Sequence, residues 1–155
     1  MTSVLFVCLG NICRSPMAEA VMRHQLEQEG LADQVQVDSA GTGNWHVGHP
    51  PHRGTRDILK REGISDEGIQ ARQIKGEDLS AFDFVIVMDN SNFDDVSRLA
   101  KGKADNIHRF VDFIPDTPYR EVPDPYFTGN FDETYSLVEA GCRGIVQAIK
   151  ERETG

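Results

Sequence analysis

The chain opens on an apolar run that ends in a thiol, Val4-Leu5-Phe6-Val7-Cys8, and continues Leu9-Gly10-Asn11-Ile12-Cys13-Arg14-Ser15-Pro16. An unbroken apolar run reads as a strand buried on both faces, as in a parallel sheet covered by helices. A Gly10-Asn11 turn and the helix-forming Met17-Ala18-Glu19-Ala20 follow it. Strand, tight turn and helix in that order are the first unit of an alternating α/β chain. The same order sets Cys8 and Arg14 at the mouth of one loop. Backbone N–H groups in such a loop point inward, and the helix adds the positive end of its dipole. Both favour a bound phosphate, and both favour Cys8 as thiolate over thiol.

Arg14 sharpens the point. A cation in the first helical turn faces the dipole with the wrong sign, at a cost of about 0.3–1 kcal/mol. A thiolate and a dianionic ligand would offset it. The chain is acidic, with a net charge of −9, yet no Asp or Glu precedes Glu19. A window kept free of carboxylates on an acidic protein suits a site that must not repel anions. On spacing alone, the commoner reading of Cys8 is a small core residue, and Arg14 reads as one half of a salt bridge. The preceding strand, the turn and Ser15 tip the reading toward chemistry.

Further along, the pattern keeps alternating. A helix is expected over 16–29, closed by Gly30, and a second strand over 34–39. The 40–51 segment is too rich in Gly and Pro for regular structure and reads as a functional loop. A helix over 53–62 is followed by a third buried strand over 82–88, then by a helix that Asp89, Asn90 or Ser91 can cap and that runs to Leu99. A short fourth strand at 107–110, a proline-rich loop at 112–128 and a closing helix from Phe131 to about Arg152 complete the chain. This order predicts a three-layer α/β/α sandwich around a small parallel sheet of four strands in the order 2-1-3-4, with residues 1–155 as one domain. Ligands in such folds bind beyond the carboxyl ends of the strands. Cys8, Ser39 and Met88-Asp89 all fall at such ends.

Composition narrows the classes. No apolar stretch nears the ~20 residues of a membrane span, and no secretory leader is evident. Three cysteines, Cys8, Cys13 and Cys142, make no disulfide framework and fit a reducing compartment, so the cytoplasm is expected. The acidic balance argues against nucleic acid as a partner.

A thiolate attacking phosphorus expels an oxyanion that needs a proton. Val122-Pro123-Asp124-Pro125-Tyr126-Phe127 offers Asp124, its backbone fixed by two prolines and its surroundings partly apolar. Asp-Pro is also a common turn starter, and Glu121, Asp116 and Asp89 are rivals. With that segment added, three motifs in order resemble the low-molecular-weight protein tyrosine phosphatases: 8–16, Asp38-Ser39-Ala40-Gly41-Thr42 and Asp124-Pro125-Tyr126. The resemblance spans nearly the whole chain. It implies Cys8 as nucleophile, Arg14 as phosphate binder and Asp124 as general acid, then base on the hydrolytic water. It also implies that Leu9, Gly10, Asn11, Ile12, Cys13 and Ser15 form the substrate loop, with Asn11 and Ser39 holding its shape and Ser15 donating to the Cys8 sulfur. No metal or cofactor is implied, because Arg14 and backbone amides supply the positive charge. Phosphotyrosine-containing proteins are the expected substrates, and phosphate or other oxyanions the expected competitive inhibitors.

Trp45 and Tyr126 are expected to wall a slot for a flat phosphoaryl ring. Phe127 stands where the family often has a second tyrosine, and the histidine some members carry before Ala71-Arg72-Gln73-Ile74 is absent. Cys13 could pair with Cys8 under peroxide, protecting it from irreversible oxidation, while Cys142 reads as core. His46, His49 and His52 recur every third residue, but Pro50 and Pro51 break the segment and no Cys or carboxylate completes a metal set. They read as lining the entrance. Two rival functions stand: an arsenate reductase on the same oxyanion loop, although 89–103 holds no cysteine pair, and a phosphate-binding module without turnover, which would need neither Cys8 nor Asp124.

Overall fold

β1 (Thr2–Cys8) lies in the interior of the sheet, and all seven of its residues are buried. The computed structural model describes residues 1–101 and 105–154. Residues 102–104 lie outside the described residues, and the segment searched for a cysteine pair, 89–103, ends among them. β2 (Val35–Gly41) pairs with one side of β1 and β3 (Phe84–Val87) with the other, and β4 (Ile107–Arg109) extends β3. All pairings are parallel, in the order β2-β1-β3-β4. The order expected from the sequence is therefore the order found.

The helices are α1 (Arg14–Gln28), α2 (Arg53–Arg61), α3 (Asp78–Ala81), α4 (Asn90–Leu99), α5 (Pro125–Thr128) and α6 (Phe131–Thr154). The two-residue period of β1 divides its side chains between two cores. Val4 and Phe6 join Met17, Val21 and Met22 of α1 and Val138, Cys142 and Ile145 of α6. Leu5 and Val7 join Val85, Val87 and Val96, the last on α4. The result is a three-layer α/β/α sandwich. At the near ends of β1 and β2 the register sets Phe6 opposite Ser39 and Cys8 opposite Gly41, which brings the 8–16 loop beside the end of β2.

The 112–128 segment is not all loop. A 3-10 turn spans Phe110–Phe113, and α5 forms because the Asp124 side chain accepts from Tyr126 N–H while Pro125 takes the first helical position. The 3-10 turn packs tightly on α6: an added Cβ at Gly144 would sit 2.0 Å from the Phe113 carbonyl oxygen, and one at Gly141 2.1 Å from the Phe110 ring. β3 begins two residues later than expected because Asp83 turns its carboxylate to the Ser3 backbone N–H at 2.9 Å. Among the described residues, no helix is long and apolar enough to cross a membrane.

Candidate active site

Asn11 stands at φ 55°, a left-handed conformation that short amide side chains tolerate. That bend lets the chain after β1 curl back on itself before α1 begins. Its side chain is fixed from several sides. Asn11 Oδ1 accepts from Arg72 N–H at 3.0 Å, while Nδ2 donates to Ser15 Oγ at 2.7 Å and to Ser39 Oγ at 2.9 Å. Ser15 Oγ lies 2.9 Å from Cys8 Sγ. Ser39 Oγ in turn donates to Glu19 Oε1 at 2.6 Å. Gly41 is required by a close approach here, since a Cβ would meet the Leu9 carbonyl oxygen at 2.8 Å.

Arg14, at the first position of α1, is 2 % exposed. Its Nη1 donates to Asp89 Oδ2 at 2.8 Å and to the Val122 carbonyl at 2.9 Å, and its Nη2 reaches Asp124 Oδ2 at 3.3 Å. The cation that faces its own helix dipole is thus compensated by two carboxylates from distant loops. Asp89 divides its oxygens, since Oδ1 caps α4 at Asn92 N–H while Oδ2 holds Arg14. Asp124 does the same, with Oδ1 on Tyr126 N–H at 3.1 Å. Burial works against the Arg14 charge, but the neighbouring Cys8, Asp124 and Asp89 outweigh it and raise its pKa.

One cleft of about 390 Å³ is lined by Cys8, Leu9, Gly10, Ile12 and Cys13 from the loop, Trp45 and His46 from the segment after β2, and Asp124, Tyr126 and Phe127 from α5 and its N-cap. Asn11, Ser15 and Ser39 lie behind the loop rather than in the cleft wall. Trp45 is 67 % exposed, its indole folded back over Gly43 instead of anchored in the core. Tyr126 and Phe127 meet edge to face, with centroids 5.4 Å apart. Phe127 and His46 are lining residues that the sequence did not single out as contacts, although His46 was expected near the entrance.

Of the rivals of Asp124, Asp89 stays in the site on Arg14, and the other two go elsewhere. Glu121 accepts from Asn90 N–H at 2.7 Å, and Asp116 borders a separate surface cavity with Arg109 and Arg120. The three histidines divide as well. His46 and His49 rings stand 5.8 Å apart, whereas His52 accepts from Gly54 N–H through Nδ1 and stacks on Phe131. Among the described residues, no group of three or more His, Cys, Asp or Glu side chains gathers as a metal set.

Cys13 is buried, and that burial, with Cys8 and Asp124 adding to it, pushes its thiol up to about 12. Burial likewise raises the Glu19 carboxyl, with Asp38 adding to the push, while Ser39 and Arg23 pull it back. Cys142 lies in the α1–α6 core, its thiol 3.6 Å from the Ala18 carbonyl.

The family model described as low molecular weight phosphotyrosine protein phosphatase matches residues 3–154. The low molecular weight protein-tyrosine-phosphatase YfkJ of Bacillus subtilis is 48% identical over 154 residues, covering 99% of each chain. Its crystal structure superposes with a TM-score of 0.97 over 98% of this chain and 96% of that one. PtpA of Staphylococcus epidermidis, a low molecular weight protein-tyrosine-phosphatase, is 40% identical over 96% of this chain and 94% of its own. A protein tyrosine phosphatase from Entamoeba histolytica, 33% identical, superposes with a TM-score of 0.90 over 99% of both chains.

Proposed function

Since the chain belongs to the low molecular weight phosphotyrosine protein phosphatase family, a family of hydrolases, we propose that it hydrolyses phosphotyrosine in proteins through a cysteinyl-phosphate. Cys8 attacks phosphorus, and the tyrosyl oxygen leaves with a proton from Asp124. Asp124 then takes a proton from the water that hydrolyses the Cys8–phosphate bond. Arg14 and the backbone amides of the 9–15 loop stabilise the charge on the phosphoryl oxygens in both steps. Asp89 and the Val122 carbonyl hold Nη1 of Arg14 from behind, so Nη2 is the end that an incoming dianion contests with Asp124. Ser15 donates to the sulfur and eases its departure in the second step. Ser39 and Asn11 keep the loop in shape.

The observation that carries this reading is Cys8 in the lining of the same 390 Å³ cleft as Asp124, with Trp45 and Tyr126 as apolar walls. A slot of that kind takes a flat aryl ring and leaves a phosphorylated serine too short to reach the thiol. Residues 1–155 act as one phosphatase domain, working in the cytoplasm, with phosphate and other oxyanions as competitive inhibitors. The acidic charge disfavours nucleic acid.

Steady-state hydrolysis of p-nitrophenyl phosphate tests the scheme. Cys8→Ser abolishes turnover, and Asp124→Asn lowers kcat by roughly 10²–10⁴. A Cys8→Ser variant at full rate overturns it, as does thiol-dependent arsenate reduction that outpaces phosphate ester hydrolysis. Capture with Asp124→Ala, which binds but turns over slowly, identifies the protein substrates.

A further inference from the structure

Trp45 borders two cavities. One is the cleft already described, and the other is a groove of about 370 Å³ bounded by Leu9, Ile74 and, on α4, Asp95 and Leu99. Leu9 also belongs to both linings, so the indole and that side chain form the partition between them. Backbone pairing builds the groove. Gly41 N–H donates to the Arg72 carbonyl and Ile74 N–H to the Gly41 carbonyl, each at 2.8 Å, while Gly43 N–H donates to the Leu9 carbonyl at 2.9 Å. Gln73 Nε2 donates to the Thr42 carbonyl at 3.2 Å and closes the same seam. The indole is set against Gly43, where a Cβ would stand 1.9 Å from the ring.

The chemistry of the groove is apolar. Trp45 and Leu99 are both exposed, at 67 % and 39 %, and large apolar side chains facing water beside a cleft mark an interaction surface. Among the described residues, Asp95 is the single ionisable side chain of the lining, and its charge is met by Arg98 one turn along. The lining offers an incoming carboxylate no cation, so an uncharged apolar side chain suits it and an acidic one does not. Spacing selects the occupant. Side chains two apart on an extended segment leave the same face about 6.6 Å from one another. Two groups stacked on opposite sides of one ring stand about 7 Å apart, twice a carbon–carbon contact of about 3.5 Å. A phosphotyrosine in the cleft and the side chain two residues away can therefore straddle Trp45. The residues one position away point to the opposite face and miss both cavities.

We propose that the groove between Trp45 and α4 is a second substrate subsite, which binds a large apolar side chain two residues from the phosphotyrosine on an extended segment of the substrate protein. The proposal rests on the phosphotyrosine reading of the cleft and names the class of sequence which that reading leaves open. A small aryl phosphate fills the cleft alone, so the groove acts only on peptides and proteins.

The test measures kcat/KM on the full chain for phosphotyrosine peptides carrying Leu, Ala or Asp in turn at the −2, −1, +1 and +2 positions, beside p-nitrophenyl phosphate. In the wild type, Leu at −2 or at +2 raises kcat/KM over Ala by about fivefold to tenfold, as partial burial of a leucine should, while Leu at −1 or +1 changes it less than about twofold. Asp at the responsive position lowers it below Ala. Leu99→Ala erases the preference and leaves p-nitrophenyl phosphate hydrolysis unchanged, which also shows that the variant folds. Leu99→Lys, which places a cation in the groove, turns the preference from Leu toward Asp. Equal rates across the wild-type series, or a Leu preference that survives both variants, overturn the proposal. A wild-type dimer in sedimentation that Leu99→Lys dissolves, with the peptide series flat, gives the groove to a second copy of this chain and equally overturns it. Absence of turnover on every phosphotyrosine peptide defeats the phosphatase reading itself, which separates the two failures.

Discussion

Arg14 and Cys13 are neighbours in sequence with opposite electrostatic fates. Arg14 is kept charged in a buried place by Asp89 and Asp124, so replacing it by Lys, which lacks the fork that reaches both partners, removes more than a positive charge. Arg14→Lys should lower kcat/KM by at least 10²-fold in p-nitrophenyl phosphate hydrolysis. Cys13, raised to about 12, stays a thiol at neutral pH, so iodoacetate labels Cys8 and spares Cys13, which peptide mass mapping checks. Peroxide changes the balance. Oxidation of the Cys8 sulfur to a sulfenic acid should be followed by condensation with Cys13, expelling water and leaving a disulfide. Dithiothreitol should then restore activity in the wild type and restore little in Cys13→Ala; equal recovery would dispose of the pairing. At this scale the sequence disclosed the residues whose neighbours are close in the chain, Cys8 with Arg14 and Ser15. It did not disclose that Asp89, read as a cap and a rival acid, grips Arg14 from 75 positions away, nor that Glu19 ends a hydrogen-bond chain. Both facts arise only when separate strand ends meet.

Among elements, the long and strongly patterned ones were legible: β1, α1, α4 and α6 start and stop within a few residues of their expected limits. The one-turn elements were not. α3, α5 and the 3-10 turn carry too few residues for a period, and each depends on a single side-chain or packing contact, such as Asp124 closing the first turn of α5. The 3-10 turn is also closely packed on α6. Gly144→Ala pushes a methyl group against the Phe113 carbonyl oxygen, a backbone atom that cannot rotate away. Such overpacking should cost about 1–3 kcal/mol, lowering the melting temperature by several degrees, with kcat retained below the transition. Gly41→Ala makes the complementary case. Its methyl meets the Leu9 carbonyl in the loop behind the cleft, so catalysis suffers along with stability.

For the whole molecule, the buried thiols set an alkaline limit. Cys13 and Cys142 both have folded-state values raised by burial. A raised value means that the folded state holds its proton after the unfolded chain has released it. Stability is therefore intact below the ordinary thiol pKa, near ~8.5, and is lost as pH climbs toward the folded values. Each thiol contributes a slope of about 1.4 kcal/mol per pH unit in that window. Urea midpoints should hold steady from neutrality to about pH 8.5 and fall beyond it, and Cys142→Ala should flatten the fall; a midpoint indifferent to alkali contradicts this.

Arg14 and Asp124 sit 110 positions apart and touch only across the finished sheet. A ribosome therefore delivers Cys8 and Arg14 early and Asp124, the proposed proton donor, late, and no partly built chain owns all three. Turnover becomes a certificate of completed topology: any chain that cleaves an ester at full speed has already threaded its last strand into place.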